Sequence, residues 1–185
     1  MTLSPVVHSS ARTGEGSDVW LTPLHVVTAL EQRLHCRFGM DVATDPGNGI
    51  LTRLSAAGIH RPGREYTPAD DGLSQPWDAP AVWCNPPYSD CAAWMARARD
   101  ESRRWCNLIV CLVPARTDTQ WWASCVMHPQ QAPLGVREVL LLVGRLSFSD
   151  VGTAPFPSAI VVYDGMTEAP RVTSWVPGPI QETLF

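Results

Sequence analysis

Apolar positions along this chain follow two alternating rhythms. Val26, Val27, Leu30 and Leu34 recur at helical spacing. They follow Thr22-Pro23, which reads as a helix start with Thr as N-cap and Pro at the first helical position. Residues 38–43 form a short apolar run with Asp41 near its end, the pattern of a small buried strand. Asp45-Pro46-Gly47-Asn48-Gly49 then reads as a loop, and the polar stretch 52–80 predicts no regular element. Ala81–Cys84 predicts a strand that stops at Asn85-Pro86-Pro87, because proline cannot donate to a ladder. Residues 90–104 predict a helix, rich in alanine and with Arg103 and Arg104 near its end. Residues 107–113 are almost continuously apolar, as in a strand covered on both faces. A short helix over 117–127 and two strands, 136–143 and Ser158–Tyr163, complete the pattern. Strands alternating with helices predict a mostly parallel α/β sheet, and such sheets bind ligands beyond the carboxyl ends of their strands.

This leaves a body over residues 18–164. Residues 1–17, rich in Ser, Gly, Thr and Arg, read as a flexible arm. Residues 165–185, with Pro170, Pro177 and Pro179, read as an irregular Pro-rich strap. At 185 residues, 45% hydrophobic and 17% charged, the chain suits one folded domain and is not a disordered polymer. Its apolar runs are shorter than the roughly 20 residues of a membrane span. No basic stretch followed by an apolar run marks a leader, so a soluble, cytoplasmic protein is expected. The net charge of −4 carries no global nucleic-acid footprint. All 14 basic residues are arginine, so a phosphate contact must come from a forked guanidinium or from the main chain. The six cysteines form no C-x-x-C pair and no zinc-ligand spacing; they read as reduced packing residues, and no metal is expected.

Asn85-Pro86-Pro87-Tyr88 directly follows a predicted strand, which puts it at the carboxyl edge of the sheet. Two prolines lock the backbone there. The Asn85 side-chain carbonyl and the Pro86 main-chain carbonyl are two fixed acceptors able to hold a planar NH2 group by both protons. Tyr88 offers an aromatic face for stacking. Such a corner suits methyl transfer to a weakly nucleophilic exocyclic amine. The acceptors localise the lone pair and aim it at an electrophilic methyl, so the catalysis is orientation and electrostatics.

With its neighbours, this motif resembles the phage- and prophage-type (Dam-type) DNA adenine N6-methyltransferases, members of the S-adenosylmethionine-dependent Rossmann-like methyltransferase superfamily. The resemblance spans about residues 18–163. It runs through Asp18-Val19-Trp20-Leu21-Thr22-Pro23, Phe38-Gly39-Met40-Asp41-Val42-Ala43, Asp71-Gly72-Leu73 with Trp77, and Val82 to Tyr88. It continues through Pro114-Ala115-Arg116-Thr117-Asp118-Thr119, Gly144-Arg145-Leu146-Ser147-Phe148 and Ala154-Pro155-Phe156-Pro157-Ser158. It implies a Rossmann-like methyltransferase fold: a mostly parallel sheet with a C-terminal antiparallel strand, flanked by helices. It further implies methylation of adenine N6 in double-stranded DNA, on a base flipped from the stack, with S-adenosyl-L-methionine as cofactor. By the same resemblance Trp20, Thr22 and Pro23 pack on the cofactor's methionine end. Asp41 closes the first strand beside the cofactor, and Asp71 faces its adenosine. Asn85, Pro86, Pro87 and Tyr88 form the catalytic corner. The chain departs from the wider superfamily in lacking a G-x-G loop after the first strand, where it has Gly47-Asn48-Gly49. It also has no room for a separate recognition domain, so DNA selectivity must come from loops or be slight.

Four further residues are candidates for DNA contact. Arg116 and Asp118 follow the buried strand on the same edge as Asn85; they meet phosphate or pair with each other. Arg145 ends a strand and reaches phosphate or solvent. Phe156, between two prolines, lines the base pocket or forms a turn. Two alternatives remain. The same chemistry could act on cytosine N4, an RNA base or a protein glutamine. Otherwise the fold could serve as a non-catalytic nucleic-acid-binding module.

Overall fold

The computed structural model of the chain describes residues 21–59, 61–127, 134–148 and 152–178. The predicted arm over residues 1–17, and Trp20, lie outside the described residues.

The first helix, α1, runs from Leu24 to Leu34 and buries Val26, Val27, Leu30 and Leu34. Its N-cap is Pro23, with extended backbone and no side-chain cap, so Thr22 does not take the capping role its position suggested. β1 (Met40–Asp41) is shorter than the predicted strand, although Gly39 N and Val42 N extend its pairing by donating to the carbonyls of Ala81 and Trp83. The stretch predicted to be irregular holds two elements, α2 (Ile50–Ala56) and β2 (Arg64–Glu65). α2 has only a short apolar face of Ile50, Leu51 and Leu54, and its first turn is fixed by side-chain carboxylates, while β2 is held by main-chain bonds to β1, Arg64 N donating to the Gly39 carbonyl and Tyr66 N to the Asp41 carbonyl. Glu65 Oε1 accepts from Leu51 N at 2.8 Å and Thr52 N at 3.0 Å, and Asp41 Oδ2 accepts from Ile50 N at 2.9 Å.

β3 (Ala81–Cys84) and α3 (Cys91–Trp105), joined by a 3₁₀ turn over Tyr88–Asp90, form where their patterns place them. β4 (Leu108–Pro114), α4 (Gln120–Cys125) and β5 (Val136–Leu142) follow. A small hairpin of β6 (Ser147–Phe148) and β7 (Gly152–Thr153), absent from the sequence reading, precedes β8 (Ser158–Tyr163). The tail expected to be an irregular strap contains β9 (Arg171–Trp175), bounded by Pro170 and Pro177. It pairs in parallel with β5. Glu138 of β5 explains the attachment: its carboxylate receives Arg33 from α1 at 2.7 Å and Arg171 from β9 at 2.8 Å. Burial alone would raise that carboxyl, but the two guanidinium groups hold it below its ordinary value.

The main sheet has the order β2-β1-β3-β4-β8-β5-β9. All neighbours are parallel except β8, which runs antiparallel to both β4 and β5. Side chains alternate between two cores. Val82, Cys84, Ile109, Cys111 and Val161 pack under α3 and α4, while Trp83, Val110, Leu112 and Ile160 pack under α1 and α2. The sheet is therefore covered on both faces, as its apolar strands require. No helix among the described residues is long and apolar enough to cross a membrane.

Candidate functional site

Strand order places the site. From β1 the chain crosses outward to β2, then returns to β3 on the other side of β1 and proceeds away to β4. The connections leaving the carboxyl ends of β1 and β3 thus diverge, and a crevice opens between them at the topological switch point. A cavity of about 830 Å³ lies there, within the usual range for small-molecule sites. Its walls include Thr22, Asp41, Asp71, Asn85 and Pro87 of the predicted site residues. They also include Asp45, Asn48, Arg53, Asp90 and Trp94, which sequence reasoning did not single out.

Asp41 ends β1 at the cavity floor and is 2% exposed. Burial pushes its carboxyl up to about 7, against the lowering effect of hydrogen bonds from the Ile50 and Ala43 amides. Asp71 is exposed in the left-handed region (φ +52°), and its Oδ2 accepts from the Ser74 hydroxyl. The next residue must be glycine, because a Cβ on Gly72 would lie 2.2 Å from the Val42 carbonyl oxygen. That close approach seats the Asp71-Gly72-Leu73 turn against the end of β1, and Trp77 Nε1 fastens it by donating to the Gly72 carbonyl at 2.8 Å. Trp77 in turn stacks on Trp94 of the cavity wall, with centroids 6.0 Å apart.

Asn85 leaves the end of β3. Its Nδ2 donates to Thr22 Oγ1 at 3.3 Å. The hydroxyl that sequence alone assigned to a helix cap is instead turned to the amide, which fixes how that amide is rotated. The Thr22 carbonyl accepts from Arg53 Nη1 of α2 at 2.7 Å. One residue thus ties the end of β3 to α2 across the cavity.

The other candidates gather at the same edge without lining the cavity. Pro23 and Pro86 belong to the surrounding framework, Pro86 being buried. Tyr88 is only 8% exposed, and its phenol is raised above its ordinary range by burial. It meets Phe156 edge to face, with centroids 5.3 Å apart. The Arg116 guanidinium lies over the Phe156 ring at 5.8 Å rather than pairing with Asp118. These three groups converge because β3 and β4 end here and antiparallel β8 begins here; Pro114 faces Ser158 in register, and Ala115 N donates to the Pro157 carbonyl. Arg145 is exposed beyond the end of β5, and Asp118 is exposed beyond β4. Of the two tryptophans of α4, Trp122 is buried at 3% exposed and Trp121 packs edge-on against it. Cys84 is fully buried, and burial with the neighbouring Cys111 thiol raises it well above its ordinary value. A thiol so held is a packing group and not a nucleophile. Among the described residues, no group of three or more His, Cys, Asp or Glu side chains is arranged to hold a metal ion.

Nothing in the pattern of residues 45–56 marked Asn48 or Arg53 for the cavity. Their placement depends on Asp41 and Glu65 binding the first turn of α2, contacts between residues 9 to 14 positions apart in the chain.

Comparison with known proteins yields three findings. The family model described as DNA N-6-adenine-methyltransferase (Dam) matches residues 9–159. The DNA N-6-adenine-methyltransferase of Haemophilus phage HP1 (strain HP1c1) is 25% identical over 114 residues, covering 62% of this chain; the chain spans 60% of that relative's length. Among solved structures, a protein described as a class I S-adenosylmethionine-dependent methyltransferase of Listeria monocytogenes superposes with a TM-score of 0.53 at 12% identity. That superposition covers 91% of this chain and 69% of the other, and it shows likeness of fold.

Proposed function

This chain belongs to the DNA N-6-adenine-methyltransferase (Dam) family, and on that premise we propose that it transfers the methyl group of S-adenosyl-L-methionine to N6 of an adenine flipped out of double-stranded DNA. One observation carries the reading: Asp41 and Asn85, from adjacent strand ends, face a single cavity at the switch point of the sheet.

The cavity suits the cofactor by the chemistry of its walls. The methyl donor is a nucleoside sulfonium with an amino-acid tail, positively charged overall. The lining supplies Asp41, Asp45, Asp71 and Asp90 for its charges and hydroxyls, and Trp94 and Tyr66 for its planar base. The absent G-x-G loop matters less than its dinucleotide role suggests, because this cofactor has no phosphate to be cradled on a helix N-terminus. When bound, the cofactor supplies an electrophilic methyl group.

The protein's part is to present the nucleophile. The Asn85 Oδ1 and the Pro86 carbonyl accept the two protons of the adenine amine, and this turns the nitrogen lone pair toward the methyl. Thr22 keeps the Asn85 amide from rotating its NH2 group into the acceptor position. The amine needs no prior deprotonation, since its proton becomes acidic once the nitrogen is alkylated. Tyr88 and Phe156 form an aromatic corner beside Asn85, on which an extruded base gains stacking energy of about 1–3 kcal/mol. Arg116 and Arg145, at the same edge, meet the DNA phosphates flanking the extruded base. The protein acts in the cytoplasm of a bacterial host, where its DNA substrate lies.

The test is methyl transfer from labelled cofactor to duplex DNA, followed by digestion to nucleosides. N6-methyladenine is the expected product, and Asn85→Ala should slow its formation by about 10²–10³-fold in a protein that still binds cofactor. N4-methylcytosine, or label on RNA or protein, would move the same chemistry to another amine. A folded chain that binds no cofactor calorimetrically would leave only the binding-module alternative.

A further inference from the structure

We propose that Arg53 anchors the α-carboxylate of the methyl donor's amino-acid tail and so sets where the sulfonium stands relative to Asn85. The proposal rests on the cofactor reading above and assigns one end of that cofactor to one side chain.

Three observations support it. First, Arg53 is the only cationic side chain among the described residues lining the cavity, whereas Asp41, Asp45, Asp71 and Asp90 are all acidic. Of the charged side chains on the wall, Arg53 alone attracts a carboxylate. Second, the main-chain amides at the start of α2 are occupied. Ile50 N is bound to Asp41, and Leu51 N and Thr52 N are bound to Glu65. This packing is tight enough that a Cβ on Gly49 would fall within the Glu65 carboxylate. The helix start is thus taken up by the protein's own acids and does not offer those amides to an anion. Third, Arg53 stands next to the reacting corner. Its Nη1 binds the Thr22 carbonyl at 2.7 Å, while the Thr22 hydroxyl accepts from Asn85 at 3.3 Å. Only a short aliphatic chain separates the sulfonium from the carboxylate in the cofactor. A methyl poised at Asn85 therefore brings that carboxylate to the Thr22 end of the cavity, where the guanidinium is. The planar guanidinium and the carboxylate are matched for a forked, charge-assisted contact.

The experiment is a two-by-two comparison by calorimetry: wild type and Arg53→Met, each with S-adenosylmethionine and with decarboxylated S-adenosylmethionine. The second ligand keeps the sulfonium and the amine and lacks only the carboxylate. In the wild type the carboxylate should tighten binding by about tenfold to a hundredfold. In Arg53→Met that ratio should fall to nearly one, and Arg53→Lys should restore part of it. If Arg53→Met weakens both ligands equally and leaves the ratio unchanged, Arg53 merely holds the cavity wall through Thr22 and the proposal is wrong while the cofactor reading stands. If wild type binds neither ligand, the cofactor reading fails and takes this proposal with it.

Discussion

The two halves of the sheet are built in different ways. The β4, β8 and β5 half consists of strands of 7, 6 and 7 residues whose side chains are almost all buried. Its backbone is satisfied by long regular ladders. The β2, β1 and β3 half has strands of 2, 2 and 4 residues. Much of its remaining backbone is satisfied by buried or half-buried carboxylates. Glu31 accepts from Phe38 N, Asp41 from Ile50 N, Glu65 from Leu51 and Thr52 N, and Glu101 from Trp77 N. The first construction makes a slab. The second leaves gaps between strand ends that polar loops can line, and the cavity is in that half. Buried groups that interrupt a ladder are costly unless each is paired, so the acidic side chains that satisfy the loops are what permit a cavity at all.

If that division is real, damage to the two halves should separate. Leu112→Ala, at a fully buried position of β4, should cost the largest amount, about 2–5 kcal/mol of stability, read as a lower denaturation midpoint. Cofactor affinity of the folded fraction should be unchanged, and a matching loss of affinity would show that the slab shapes the cavity directly. Asn85→Ala should reverse this pattern, with stability little altered and kcat lower by about 10²–10³-fold, equivalent to about 2.7–4 kcal/mol. Retention of kcat would remove Asn85 from the chemistry. Gly72→Ala should strike both properties, because the clashing atom is a backbone carbonyl that has nowhere to go. We expect about 1–3 kcal/mol of lost stability and weakened cofactor binding. A loss of stability without any loss of binding would detach the 71–73 turn from the site.

The smallest effect concerns pH. Burial raises the Asp41 carboxyl from 3.8 to about 7, so ionisation is disfavoured in the empty protein, which loses stability as the pH climbs between those values. A positively charged ligand favours the ionised form. Affinity should therefore rise about tenfold from pH 6 to pH 8, with proton release on binding near neutrality. Calorimetry in buffers of different ionisation enthalpy reads that proton, and Asp41→Asn should abolish both the slope and the release.

The same division explains what could be read without coordinates. In the slab, apolar runs identify β4, β5 and β8 within a residue or so, since a strand buried on both faces has few other ways to satisfy its composition. β3 and its Asn-Pro-Pro-Tyr terminus were equally legible, because proline acts on the backbone locally. In the other half α2 and β2 escaped notice, since the carboxylates that bind the first turn of α2 and the β1 edge that pairs with β2 reach them only on folding. β9 escaped for a related reason. Its Pro-flanked sequence resembles a loose tail, and what makes it a strand is its parallel pairing along β5, reinforced where Arg171 meets Glu138.

From the chain alone came the class of fold, the corner carrying Asn85 and the family resemblance later matched over residues 9–159. Each depends on short stretches whose meaning is local: an apolar period, a proline, an ordered set of motifs. Tertiary structure alone decided that Thr22 serves Asn85 instead of capping α1, that Arg53 stands in the cavity, and that Tyr88 packs on Phe156. Those outcomes depend on which strand ends become neighbours. A donor 63 residues from its acceptor leaves no spacing in the chain from which the contact could be read.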